Sequence, residues 1–152
     1  MRIALYQPDI PQNTGTILRL AACFGLPVDI IEPCGFVWND KQMRRAGMDY
    51  LNDVNITRHM AWETFKETAK GKRLVLLTTH SSVPHTDFHF KQDDILLFGR
   101  ESAGVPDDVH NYVDARIRIP MKQNERSINL AMSCAIAVSE AMRQTDLFKD
   151  LV

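Results

Sequence analysis

Ile95-Leu96-Leu97-Phe98-Gly99-Arg100-Glu101-Ser102-Ala103-Gly104-Val105-Pro106 is an apolar run that breaks off at a glycine and turns polar. A short, continuous apolar run bounded by a turn signal marks a strand covered on both faces. The same form recurs at Ile3–Tyr6, Val28–Ile31 and Leu74–Leu77. Ile117 and Ile119 alternate with Arg116 and Arg118, the pattern of a strand wetted on one side. Val54-Asn55-Ile56-Thr57 is a weaker alternation that suits a sheet edge. Helix-period segments lie between these runs. The alternation predicts a single α/β domain over residues 1–152, with a mostly parallel sheet and helices on both faces. Ordinary connection rules make that sheet open and unknotted.

The first helix is predicted to start at Asn13, a good N-cap residue, and to end at Gly25. Its core stripe is Ile17, Leu20, Ala21 and Phe24. At about 100° per residue, Arg19 sits roughly 200° from Ile17 and points away from that core. Taken alone it is a solvated arginine on a surface helix. The last helix, about Ser127 to Thr145, is apolar around most of its circumference, with Asn129, Ser133 and Glu140 forming a narrow polar sector. Such a helix is buried on two sides. The sheet covers one side; a second subunit covering the other predicts a homodimer, the alternative being a central helix within one chain.

With 152 residues, the chain can bury roughly 70% of its unfolded surface as one domain. No apolar run approaches the roughly 18 residues of a membrane span, and the chain opens directly on a strand-like segment. Cys23, Cys34 and Cys134 are odd in number and lack C-x-x-C spacing, which fits reduced thiols and a cytoplasmic location. The net charge of −1 offers no global basic field for nucleic acid. Lys41, Arg44 and Arg45 nevertheless cluster, as do Arg116, Arg118, Lys122 and Arg126, so a local basic cleft is compatible with the composition.

Two strand ends carry the candidate chemistry. One is the Gly99 turn; the other is Ile119-Pro120-Met121, followed by a polar loop and by Ser127-Ile128-Asn129. Glycine at a strand end leaves backbone groups accessible to a flat, nucleoside-like ligand, so a larger residue at Gly99 is expected to enter the ligand's space. Neither G-x-G-x-x-G nor the P-loop spacing is present, which leaves a flavodoxin-like or dinucleotide-binding oxidoreductase without its phosphate loop. His80, His85 and His89, with Asp87 between them, match no strong zinc spacing, and no metal is expected. No Gly-x-Ser-x-Gly elbow supports a hydrolase.

Pro11-x-Asn13-x-Gly15-x-x-x-Arg19, Arg44-Arg45-Ala46-Gly47-Met48-Asp49-Tyr50, Phe98-Gly99-x-Glu101-x-x-Gly104 and Ile119-Pro120-Met121 with Ser127-x-Asn129 follow one another in order. In these blocks the chain resembles the SPOUT class of knotted RNA methyltransferases, and within it the enzymes that methylate the tRNA wobble nucleotide. The resemblance runs from Ile3 to about Glu140. It implies a C-terminal trefoil knot, a homodimer and S-adenosylmethionine as cofactor. It also implies 2′-O-methylation of the wobble ribose of tRNA. By the same resemblance Leu77, Thr78, Thr79, Gly99, Glu101, Gly104, Ile119, Pro120, Met121, Ser127 and Asn129 hold the cofactor. Asn13, Arg19, Lys41, Arg44 and Arg45 meet RNA, and Arg19 is the catalytic residue. On the residues alone, Glu101 reads equally as a carboxylate at a helix N-terminus. One departure is Ser139, where the family often has a tyrosine before the residue matching Glu140. Methylation at another tRNA or rRNA site, or an RNA-binding module without catalysis, are the alternatives.

Overall fold

The computed structural model describes residues 1–39 and 53–151. Six strands form one parallel sheet: β1 (Arg2–Tyr6), β2 (Val28–Ile31), β3 (Ile56–His59), β4 (Leu74–Leu77), β5 (Ile95–Phe98) and β6 (Ala115–Ile117), in the order β3-β2-β1-β5-β4-β6. The chain winds outward from β1 to β3, crosses to β4, returns to β5 beside β1, and finishes outside β4. Strand order therefore reverses at the β1–β5 pair, and crevices for ligands form beyond the C-terminal ends of strands at such a point. The helices are α1 (Pro11–Phe24), α2 (Trp62–Thr68), α3 (Asp107–Tyr112) and α4 (Leu130–Gln144), followed by a 3-10 turn at Leu147–Asp150.

The period of two along each strand sorts side chains onto two faces. Ile3 and Leu5 of β1, Val28 and Ile30 of β2, and Leu96 and Phe98 of β5 pack with α1 and α4. Ala4, Tyr6, Ile31, Leu74, Leu76, Ile95 and Leu97 point the other way, toward Trp62 and Phe65 of α2 and Val109 of α3. Complete burial of Ile3, Leu5 and Ile30 stabilises the fold by roughly 1.5–3 kcal/mol each. The predicted β3 edge strand exists but runs two residues later, over Ile56–His59.

Both long helices begin differently from their predicted starts. α1 starts at Pro11, whose fixed φ suits the first turn, with Ile10 at the cap position. Asn13 lies inside the first turn instead of capping it, because its amide is engaged elsewhere. The end is as predicted: Gly25 at φ 66° turns the chain while the Leu26 N–H reaches back to the Ala21 carbonyl at 2.9 Å. α4 starts three residues after Ser127. Asn129 is its cap, its side-chain oxygen accepting from the N–H groups of Ala131 (2.9 Å) and Met132 (3.3 Å).

α4 buries Ala131, Cys134, Ala137, Val138, Ala141 and Met142 against the sheet and α1. Thus α1 takes part of the coverage that the sequence assigned to a second subunit. Met132 remains 58% exposed, and Ala135 and Ile136 are half-buried. The three cysteines are free; burial pushes the Cys34 thiol up to about 11 and raises that of Cys134 as well. Beyond β4, the chain lies along β6 and its continuation. Thr78 N–H donates to the Ile117 carbonyl, Arg118 N–H to Val83, and His85 N–H to Arg118. No helix among the described residues is long and apolar enough to cross a membrane.

Near the C-terminus of α4, Glu140 accepts from both Nε and Nη2 of Arg143 at 2.8 Å and from the Gln144 amide at 2.8 Å. Those bonds, the Arg143 one foremost, hold its carboxyl down at about 2. A depressed folded pKa gives stability that is present above the ordinary value near 4.5 and lost as pH falls toward about 2. Arg143 is well exposed, so solvent screens the pair and the effect at pH 7 is small. Glu140→Gln is accordingly expected to lower the urea midpoint slightly at pH 7 and not at all near pH 2; a gap that widened on acidification would contradict this.

Candidate active site

The C-terminal ends of β4 and β5 open into a cavity of about 980 Å3. Leu77, Thr78, Thr79 and His80 form one wall as β4 runs out, and Phe98 through Gly104 form the next. Ile119 and Met121 supply a third, apolar wall, and Ser127 through Leu130 a fourth. Ile10 and Asn13 reach in from the start of α1, and Asp107 and His110 from α3. Every residue that the sequence assigned to the cofactor lines this space except Pro120. Successive residues of an extended chain face opposite ways. With Ile119 and Met121 in the wall, Pro120 is turned outward and exposed.

Glu101 organises one side. Its Oε2 accepts from the Asp9 N–H at 2.8 Å and its Oε1 from the Asn13 amide at 3.0 Å. Asn13 Oδ1 accepts in turn from the Asn129 amide at 2.9 Å, and Asn129 Oδ1 caps α4. An ionised carboxylate only accepts, so the first amide must present its NH2 to Glu101 and its oxygen to Asn129, which fixes the second amide too. Three segments distant in sequence are thereby tied together. Glu101 stands in a turn well before α3, so the helix-terminus reading of this residue does not hold.

Elsewhere on the wall Arg100 and His110 offer donors, with the Asp107 carboxylate beside them. Arg100 lies over the Tyr6 ring, 5.8 Å from its centroid. Burial raises the Tyr6 phenol above its ordinary value, and the Arg100 cation opposes that rise. Arg116 Nε–H donates to the His110 carbonyl at 2.7 Å and approaches His110 Nδ1 at 3.3 Å, an arrangement that leaves the proton of a neutral ring on Nε2. His110 Nε2 and Arg100 Nε are buried and have no hydrogen-bond partner among the described residues.

Sequence reasoning missed Ile10, His80, Asp107, His110, Arg126 and Leu130 as wall residues. Asp107 and His110 are three apart on one short helix, a spacing that could have shown them sharing a face. Arg19 is exposed on α1 and is not part of the cavity wall. Six residues of helix separate it from Asn13, about 9 Å of rise and roughly 240° of rotation. Lys41, Arg44, Arg45 and the rest of that block lie outside the described residues. Among the described residues no group of three His, Cys, Asp or Glu side chains is placed to hold a metal ion.

Gly99 has a different role from the one expected. A Cβ there would fall 2.6 Å from the Gly104 carbonyl carbon and 2.8 Å from its Cα, not in the open cavity. Arg100 and Gly104 exchange backbone hydrogen bonds of 2.8 and 2.9 Å, and only a glycine lets that turn close. Gly104 has φ +64° but open space around its Cβ direction, so alanine there costs strain alone, about 1 kcal/mol. Gly99→Ala must shift backbone, at roughly 1–3 kcal/mol. Affinity for S-adenosylmethionine, the ligand that the resemblance implies, is therefore expected to fall further in Gly99→Ala than in Gly104→Ala. Calorimetry checks this, and equal affinities in two folded variants would contradict it.

The model of the SpoU rRNA methylase family matches residues 1–139 of this chain. A tRNA (cytidine(34)-2′-O)-methyltransferase of Beijerinckia indica is 55% identical over 144 residues, covering 93% of this chain and 90% of the relative. A solved structure bearing on the 2-OH methylation of C/U34 on tRNA superposes with a TM-score of 0.88 at 37% identity, covering 94% of both chains. An rRNA methyltransferase of Sinorhizobium meliloti with bound AdoMet gives a TM-score of 0.84 at 29% identity, over 93% of this chain and 55% of that one. The family model spans nine-tenths of the sequence, and the relatives and solved structures agree with it in sequence and fold: the chain belongs to the SpoU rRNA methylase family.

Proposed function

We propose that this protein is a cytoplasmic S-adenosylmethionine-dependent methyltransferase acting on the ribose 2′-hydroxyl of the wobble nucleotide, position 34, of tRNA. The observation that carries the reading is the Glu101–Asn13–Asn129 chain, which joins three of the family's motif blocks into one side of a single cavity. The names of the similar proteins support the substrate. The cavity suits the cofactor: Leu77, Ile119 and Met121 offer apolar contact to a purine, and the unpartnered donors of Arg100 and His110 suit a ligand rich in acceptors. When bound, S-adenosylmethionine supplies a methyl group already made electrophilic by its sulfonium, so the protein's task is to orient and to exclude water. The turn from Gly99 to Gly104 and the Ser127 loop would hold it. The trefoil knot belongs to this reading, supported by the way the β4–β5 connection lies across Ile117 and Arg118.

Arg19 is assigned to the substrate side. A guanidinium is a poor proton acceptor near neutral pH. Its role is to grip a phosphate beside the target ribose, with Lys41, Arg44 and Arg45 on the same RNA, and the hydroxyl proton is lost to water. Because Arg19 is outside the cavity wall of its own chain, a second copy brings it to the site. The exposed Met132 with Ala135 and Ile136 supports α4 as the dimer face.

With tRNA and S-adenosylmethionine, the protein is expected to place one 2′-O-methyl group at nucleotide 34. Methylation elsewhere would overturn the site, and none would overturn the activity. Arg19→Ala should abolish nearly all transfer and Arg19→Lys should retain part of it, both binding S-adenosylmethionine as the parent does. Transfer whose pH dependence is lost specifically in Arg19→Lys would favour a proton-accepting arginine instead. Sedimentation at micromolar concentration should give a dimer, and Ala135→Glu, which buries an unpaired carboxylate, should break it. A stable wild-type monomer would remove the shared-site part of the reading.

A further inference from the structure

Asp9 is not part of the cavity wall, yet it touches two turns at the sheet's C-terminal edge. Strand β1 ends at Tyr6, and Gln7 turns the chain through a left-handed conformation at φ 45°, its N–H donating to the Ile31 carbonyl at 2.8 Å. A non-glycine residue held there marks a segment whose path is fixed by its neighbours. Next, the buried Pro8 accepts from the Gly35 N–H at 2.9 Å. Asp9 then sits against Gly35, where any Cβ would come within 2.9 Å of both its Cα and its Oδ1. On its other side Asp9 gives its N–H to Glu101, and its Oδ2 accepts from both the N–H (3.1 Å) and the hydroxyl of Ser102.

The exchange is reciprocal. The β1–α1 turn donates a backbone N–H to the carboxylate of the Gly99–Gly104 turn, and that turn donates one back to the carboxylate of Asp9. Such pairing satisfies two loop N–H groups at once, as a capping box does at a helix start. Among the described residues, the turn is otherwise held by its own Arg100–Gly104 bridge and by the bond from Asn13 to Glu101. We propose that Asp9, acting through Ser102, is a positioning residue for the cofactor side of the cavity. It holds the Gly99–Gly104 turn at the height where Glu101 reaches Asn13, and Gly35 leaves the room for it to do so.

This inference rests on the reading of the cavity as the S-adenosylmethionine site, and the test separates the two. Calorimetric titration of the full chain with S-adenosylmethionine is compared for wild type, Asp9→Ala, Ser102→Ala and the double variant, with urea midpoints measured alongside. Loss of one charge-assisted clamp is expected to raise the cofactor Kd about tenfold in Asp9→Ala and less in Ser102→Ala. The double variant should be no weaker than Asp9→Ala, because both remove the same interaction. Steady-state rates should show the loss mainly in kcat/KM for the cofactor, and Asp9→Glu should recover part of it. Should Asp9→Ala fail to fold, Ser102→Ala and the milder Asp9→Asn carry the same comparison. Unchanged Kd in the folded variants overturns the proposal, as does a double variant that multiplies the two single losses. No cofactor binding by wild type overturns the cavity reading, and this inference with it.

Discussion

An ionised carboxylate can accept hydrogen bonds and cannot donate them, and the arrangement of the cavity follows from that constraint at Glu101. Its two oxygens take the Asp9 N–H and the Asn13 amide, so the direction of every later bond is set. Asn13 must turn its oxygen to Asn129, and Asn129 must turn its own oxygen to the first N–H groups of α4. A glutamine at 101 could donate as well as accept, and the order of the amides would no longer be unique. Helix α4 therefore begins at Leu130, because the side chain that caps it is itself oriented from across the cavity.

The sheet explains why these residues can meet. Reversal of strand order at β1–β5 leaves the loops after β1, β5 and β4 at one edge. Phe98 and Leu5 are registered neighbours there, fully buried, so the turns that follow start from a rigid base. Apolar burial fixes where the strands end, and a few polar contacts then choose the path of each turn. Stability and geometry are thus carried by different residues. A change at Ile3 or Leu5 bears on the whole fold, whereas one at Gly99 bears mainly on the turn it allows to close.

Much of the fold was legible in the sequence because burial on two faces leaves an unambiguous trace. Val28–Ile31, Leu74–Leu77 and Ile95–Phe98 are strands with the predicted bounds. Helix starts were read less well. Asn13 looks like a cap by residue type, yet Pro11 opens α1 through its fixed φ and Asn13 is drawn to Glu101. Helix α4 is capped by Asn129, held from across the cavity, and is not opened at Ser127. Gly99 was legible as a special position, but its reason, a turn closed so tightly on Gly104 that a Cβ would fall 2.6 Å from that residue's carbonyl carbon, shows only once the turn is folded. Asp9 carried no signal at all. Its partner Ser102 is 93 positions away, and an aspartate before a proline-led helix is ordinary in any loop.

Charge distribution then separates the two ligands that the proposed reaction needs. Asp9 and Glu101 place two carboxylates in one hydrogen-bonded network at the Asn13 end of the cavity, and the chain as a whole carries a net charge of −1. Their field favours a cationic centre nearby and disfavours a phosphate. A sulfonium cofactor suits that end, while the donors at Arg100 and His110 suit its uncharged and anionic parts. An RNA backbone is repelled from the same spot and is better held by cations away from it. Arg19, displaced along α1 from Asn13 by nearly two helical turns, is the kind of group this division calls for. Arg100 and Arg126 do stand in the wall, so the division is one of position along the cavity, and the proposed dimer is the route by which Arg19 would complete the substrate side.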